Sequence, residues 1–306
     1  METLEKVYSS GVFGEYFKVA RVGSWLGWIF SFAFGSIFLG LPPLERLTIV
    51  LFAFLFATAR IFVLNQYFDR MEDRENEIKS NLPIASGRIA PRTALVLSFS
   101  SIALCLLLIA LIDVNLITLF LIYLTLWTIY SAPPFRLKTV PILDFIVSGV
   151  GAGLLPFLMG VGTSSPSNVT ISIVLLSALP LISAHSSGHI LQALGDYEAD
   201  HETEVQTFVV KYGRKKGVIV MGLLSLITGL LPFTYAAFGL LSPSSFLLFF
   251  MPIPFCIPIA KRYIDALKHP SAKNIVNLQK TARKYGIIIL FVVGTYVLVG
   301  KILGLL

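Results

Sequence analysis

Long apolar runs alternate along the chain with short polar connections, at residues 20–41, 44–64, 93–112, 115–131, 141–162, 168–194, 217–239, 243–262 and 284–305. Most approach or reach the roughly 20 residues that a helix needs to cross a hydrocarbon core. The pattern predicts an all-α, polytopic membrane protein of about nine transmembrane helices, forming one domain over residues 1–306. The first run is long, follows Lys18 and Arg21, and has no small-residue cleavage pattern before the second, so it reads as a retained helix.

Composition agrees with the periodicity. Hydrophobic residues make up 56% of the chain and charged residues only 13%, so hydrocarbon is its main solvent. Cys105 and Cys256 both fall inside apolar runs and give no disulfide framework. With the N-terminus in the cytoplasm, Arg46 and Lys301 are the basic residues left on the far side, and the others lie in or near cytoplasmic segments. That orientation leaves the C-terminus outside. It also explains the net charge of +7 as a topology and anionic-lipid signal, and no basic-aromatic groove argues for nucleic acid.

The long polar connections, 65–92, 195–216 and 263–283, all fall on the cytoplasmic side, where chemistry on a charged substrate is expected. Two of them carry acids at helical spacing. Asn65, Asp69 and Asp73 recur at every fourth position and share one helix face, and Asp196 and Asp200 repeat the spacing, with Glu198, Glu202 and Glu204 adding negative charge. Like charges so placed weaken a helix, and ionised groups at a membrane boundary cost more, so a compensating cation is expected. Oxygen ligands without paired Cys or His select a hard ion, and a few carboxylates completed by water and phosphate oxygens is how Mg²⁺ is held. Two clusters could then grip one diphosphate from opposite sides and neutralise the charge that grows on it as a leaving group. A single D-x-x-x-D more often caps a helix or pairs with neighbours such as Arg70, Arg74 and Arg88. The repetition at two corresponding helix ends, offset by four helices, favours the shared metal site and predicts two related half-bundles around a central cavity.

These motifs resemble those of the UbiA superfamily of intramembrane aromatic prenyltransferases. Asn65-x-x-x-Asp69-x-x-x-Asp73 is similar to the family's first acidic motif, and Asn81-Leu-Pro-Ile-Ala-Ser-Gly87 to its trailing N-R-P-L-x-S-G segment. Asp196-x-x-x-Asp200 with Thr207 and Gly213 resembles the second motif, and Tyr130-Ser131-Ala-Pro-Pro-Phe-Arg136-Leu-Lys138 the loop after helix four. Leu82 stands where many members have Arg, and Glu77-Ile78 replaces a frequent basic pair, leaving Lys79 as the nearest cation. The resemblance implies Mg²⁺-dependent ionisation of a prenyl diphosphate and transfer to a lipophilic, typically aromatic, acceptor. It leaves prenyl length and acceptor open.

Further candidates follow from that chemistry. Arg21, Lys79, Arg136 and Lys138 could bind the diphosphate or serve as positive-inside anchors, and Arg60, charged within helix two, is a functional candidate by its depth. An allylic cation needs electron-rich walls, for which Tyr130 is the best placed of Tyr67, Tyr130 and Tyr197, with Ser131 beside it. His185 and His189 could line an acceptor pocket or receive its proton, or, like Ser186 and Ser187, bond neighbouring helices. Asp144 could orient Lys138 or an acceptor group. The run Gly149-Val-Gly151-Ala-Gly153 lacks a Walker lysine and suits close helix packing. Two rivals use the same acids: a cation transporter and a lipid diphosphate hydrolase.

Overall fold

The computed structural model describes residues 12–75, 79–164, 170–203, 205–239 and 246–304, so Glu77, Ile78 and Glu204 lie outside the described residues. The described chain is helical throughout: α1 (Val12–Val19), α2 (Leu26–Phe38), α3 (Leu44–Glu75), α4 (Pro91–Ile112), α5 (Val114–Ser131), α6 (Leu143–Val161), α7 (Ile171–Gly195), α8 (Tyr197–Glu202), α9 (Phe208–Tyr212), α10 (Arg214–Ala237), α11 (Phe246–Lys268) and α12 (Ala272–Ile302). Eight of these are long and apolar enough to cross a membrane. The first expected span is instead the 13-residue α2. Arg21, with φ 50°, leaves the helical region, a short 3₁₀ turn Val22–Ser24 follows, and Gly40 with Pro42 and Pro43 stops the far end.

Capping chemistry sets the other boundaries. Pro91 opens α4 after an extended Ala90, Asp113 caps α5 by accepting from the Asn115 N–H at 3.0 Å, and Ser271 caps α12 by accepting from the Asn274 N–H at 3.3 Å. The polar connection expected at 263–283 is largely helical, and that at 65–92 is helical as far as Glu75. α3 runs to Glu75, and α11 and α12 continue to a turn around His269–Ser271. Amphipathic extension of a spanning helix beyond the hydrocarbon explains this, because polar residues leave the bilayer without leaving the helix.

The helices form two compact units. One comprises Met1–Leu26 with Leu44–Arg136, the other Gly27–Pro43 with Leu137–Leu306. They are unequal: α3, α4 and α5 are the long helices of the first, whereas α6, α7, α10, α11 and α12 belong to the second together with α2. The two acidic stretches, on α3 and after α7, fall in different units.

In the first unit, α3 packs chiefly against α4 and also against α5. Thr58 and Tyr123 share a buried hydrogen bond at 3.1 Å, and Arg60 donates to the Leu124 carbonyl at 3.0 Å and the Thr128 hydroxyl at 2.7 Å, so polar groups fasten these helices. In the second unit, α7 is central and packs against α6 and α10. The glycine run serves the expected close approach: a Cβ at Gly153 would lie 2.8 Å from the Leu181 carbonyl carbon, and the segment Val150–Leu154 forms a π turn. Ser186 donates to the Phe145 carbonyl at 3.0 Å and Ser187 to that of Met221 at 3.0 Å, the interhelical role expected of them. Many large apolar side chains, Phe99, Leu111, Leu226 and Phe291 among them, face outward, as hydrocarbon solvent permits.

Asp113, on the short connection between α4 and α5, has its Oδ2 2.6 Å from Nη2 of Arg46 in the first turn of α3. Arg46, with the Asn115 contacts, holds the Asp113 carboxyl below its ordinary value. A depressed carboxylate stabilises the fold above the ordinary carboxylate range and loses that contribution as pH falls through the lowered value. Arg46→Gln is expected to cost roughly 0.5–1 kcal/mol at neutral pH, and Asp113→Ala about 1 kcal/mol more because the α5 cap goes too. Thermal unfolding in detergent checks both, and the gap between wild type and Arg46→Gln should close at pH values well below the carboxylate range.

Candidate active site

Asn65, Asp69 and Asp73 occupy the last turns of α3, at the spacing that stacks them on one face. Asp69 and Asp73 are both buried, 7% and 9% exposed, so these carboxylates are partly stripped of water. Arg136, in the loop after α5, reaches back to them: its Nη2 donates to Asp69 Oδ1 at 3.0 Å and to Glu72 Oε2 at 2.5 Å. Glu72 first, and then Asp69, hold the guanidinium above its ordinary value against the opposing effect of burial. Arg136 takes φ 42°, a left-handed backbone uncommon for a residue other than glycine, which turns the chain so that its side chain meets α3. Beside this pair, Asn65 Nδ2 donates to Ser131 Oγ at 3.3 Å, and the Tyr130 ring stands edge-on to Trp127 with centroids 5.0 Å apart.

The segment 79–90 folds back onto the same helix end. Ile84 and Ile89 are buried with Val19 and Val63, while Arg74 Nε donates to the Ala85 carbonyl at 3.1 Å. Gly87 has φ 79°, a conformation that disfavours any side chain with a Cβ. Arg88 closes the turn by pairing with Glu15 of α1 at 2.7 Å, which with Lys18 holds that carboxyl below its ordinary value. Lys79, at the start of this segment, is partly buried. Arg21 lies over the Phe62 ring, 5.8 Å from its centroid, and is exposed.

In the second unit, Asp196 stands at a break between α7 and α8, yet the Asp200 N–H donates to the Asp196 carbonyl at 2.9 Å. The four-residue spacing therefore survives the break, and both acids are half-buried. Arg214, first residue of α10, lies over the Tyr197 ring at 4.4 Å and pairs with Glu198 at 2.9 Å. Thr207 caps α9, and Asp144 Oδ2 accepts from the Phe208 N–H at 2.8 Å. Asp144 is thus a peg for the segment behind the second motif, and Lys138 sits in a separate 3₁₀ turn, Leu137–Thr139. His185 Nε2 lies 3.0 Å from Ser31 Oγ, the contact to a neighbouring helix anticipated for it, and His189 is close enough to Asp196 to interact electrostatically.

Sequence reasoning thus finds residues that assemble within each unit: Asn65, Asp69, Asp73, Ser131 and Arg136 in the first, His189, Asp196 and Asp200 in the second. Arg60 is turned to α5, where it donates to the Leu124 carbonyl and the Thr128 hydroxyl. Glu72 and Arg214 were missed. Both had a signal, Glu72 by lying one turn beyond Asp69 and Arg214 by following the Gly213 that breaks the chain. Among the described residues no group of three or more His, Cys, Asp or Glu side chains is gathered as a ready metal site. The donor chemistry of each pair, oxygen only, suits a hard cation completed by phosphate oxygens.

The sequence matches the UbiA prenyltransferase family over residues 24–300. Among curated proteins, it is 31% identical over 193 residues to a digeranylgeranylglyceryl phosphate synthase of Methanothrix thermoacetophila, covering 63% of this chain and 68% of that one. It is 32% identical over 182 residues to a 2-acylphloroglucinol 4-prenyltransferase of Humulus lupulus, where it covers 57% of this chain but only 41% of the plant protein. Two solved structures of a UbiA homolog from Archaeoglobus fulgidus share its fold at 24% identity. One has TM-score 0.72 over 92% of this chain and 98% of the other, and one, bound to GPP and Mg²⁺, has TM-score 0.70 over 92% and 99%. With the family match running through nearly all of its helices, the chain belongs to the UbiA prenyltransferase family.

Proposed function

We propose that this membrane protein transfers a prenyl group from a prenyl diphosphate to a lipophilic acceptor and releases pyrophosphate, with residues 1–306 acting as one catalytic domain. The observation that carries the reading is the buried Asp69–Asp73 pair with Arg136 held against it, in a chain of this family. Asn65, Asp69 and Asp73 in the first unit, and Asp196 and Asp200 in the second, would be the oxygen ligands for Mg²⁺. When bound, the ion supplies positive charge to the departing diphosphate. Arg136, now occupied by Asp69 and Glu72, would exchange a carboxylate for a phosphate oxygen as metal and substrate arrive. Lys79, Lys138 and Arg21 add donors for the remaining oxygens.

Tyr130 and Trp127 provide ring faces and edges near Ser131 and Asn65, the kind of wall that stabilises an allylic cation without trapping it. His189, electrostatically linked to Asp196, can seat the acceptor or take its proton. The charge distribution supports a cytoplasmic N-terminus and active-site loops with the C-terminus outside. The relatives' names divide between a glyceryl phosphate lipid and a phenolic acceptor, and the aromatic class remains our reading. A transporter would place such acids on broken helices near the bilayer midplane, whereas Asp69 and Asp73 lie in the last turns of α3.

Detergent-purified protein given Mg²⁺, labelled geranyl or geranylgeranyl diphosphate and either acceptor class should yield prenylated product and pyrophosphate. Asp69→Asn and Asp196→Asn should each cut transfer about a hundredfold or more, and chelation should abolish it until Mg²⁺ is restored. Full activity in both variants would overturn the assignment, prenyl alcohol as sole product would make the protein a hydrolase, and Mg²⁺ flux in proteoliposomes without diphosphate would revive the transporter. Arg136→Gln should raise KM for the prenyl diphosphate roughly tenfold, the scale of one charge-assisted hydrogen bond, with Arg136→Lys recovering only part. Initial rates at varied diphosphate concentration check this.

A further inference from the structure

Within the second unit, α11 and α12 run back from the turn at His269–Ser271 and leave an open groove of about 710 Å³ between them. Its lining carries Lys261 and Arg262 from α11 and Lys280 and Lys284 from α12, with Asp265 as its only acidic side chain. Arg262 and Asp265 approach to 3.4 Å, which leaves three lysines around a concave site with a net positive balance. Lys280 and Lys284 are one turn apart on the same face of α12, and both line the groove.

The level of this groove follows from the sequence of the two helices. Phe246–Ala260 and Tyr285–Gly300 contain no charged residue, and Lys261, Arg262 and Lys284 are the first charges beyond those runs. The cations therefore stand where hydrocarbon gives way to water, the depth at which lipid phosphates lie. Tyr285 and Tyr263 mark the same level, as interfacial aromatics do, and Lys284 Nζ is 5.3 Å from the Tyr285 ring centre. Ile257 and Ile264 are exposed on α11 beside the lysines, an apolar flank along which an acyl chain can lie. Like charges gathered at such a boundary repel one another, and an anion relieves that cost. A simple positive-inside anchor needs no concave site.

We propose that this basic pocket between α11 and α12 binds the phosphate headgroup of one anionic phospholipid, drawn sideways from the bilayer, at a site whose lining includes no residue of either acidic stretch. Its residues take no part in the transfer chemistry proposed above, so the two readings fail independently.

The test uses the full chain in phosphatidylcholine nanodiscs titrated with spin-labelled phosphatidylglycerol, read by native mass spectrometry and by quenching of a probe at the pocket rim. The combined Lys261→Gln, Lys280→Gln and Lys284→Gln variant should bind the anionic lipid about a hundredfold more weakly, roughly fivefold per charge, while Arg92→Gln with Lys215→Gln and Lys216→Gln stays within about twofold of wild type. Asp265→Asn should bind it about fivefold more tightly, a gain that misfolding cannot mimic. Equal losses in both triple variants, no preference for phosphatidylglycerol over phosphatidylcholine, or displacement of the lipid by millimolar inorganic phosphate would each overturn the proposal.

Discussion

Negative charge gathered at the end of a membrane-spanning helix must be neutralised, and this chain is arranged around that need. Asp69, Glu72 and Asp73 crowd the last turns of α3, two of them buried, where desolvation makes an unpaired carboxylate costly. Arg136 answers for Asp69 and Glu72, and a left-handed backbone at Arg136 is tolerated to bring it there. The loop after α5, the folded-back segment 79–90 and the N-terminal α1 all close on this end of α3. Gln66, buried beside the acids, donates to the Val19 carbonyl at 2.7 Å and ties α1 to the same helix. One internal cation against three carboxylates leaves this helix end net negative, a charge that a bound metal ion would offset.

The helices themselves were largely legible from hydropathy, because a bilayer imposes one solvent and one length scale on every span. The exceptions have local causes. α2 is shorter than its apolar run because Arg21 and Gly40 interrupt the backbone, a conformational fact that hydropathy cannot carry. α3 and α12 are longer than their runs because helices continue into water wherever side chains permit. The unequal division of the chain into two units was also hidden, since α2 joins the second unit although its neighbours in sequence belong to the first.

For the site, spacing along a helix carried most of the information. Asn65, Asp69 and Asp73 share a face as periodicity requires, whereas Ser131 meets Asn65 across 66 residues, a pairing that spacing along the chain does not reveal. Arg60 shows the limit of reasoning from depth alone: a buried guanidinium is expected to be functional, yet it is spent on the Leu124 carbonyl and the Thr128 hydroxyl of α5. Partners so distant in sequence leave no local trace. Asp144 is a similar case, a buried acid near Lys138 in sequence whose partner is a backbone N–H 64 residues on.

That carboxylate has a mechanical consequence. Asp144 belongs to the first turn of α6, a helix that carries a π turn a few residues later, and it grips the start of α9 through Phe208. The chain bearing Asp196 and Asp200 is thus held before it by the continuous α7, along it by Arg214 at Glu198 and Tyr197, and after it by this oxygen at Phe208. Removing the Asp144 carboxylate would leave the buried Phe208 N–H without that acceptor and loosen this last mooring.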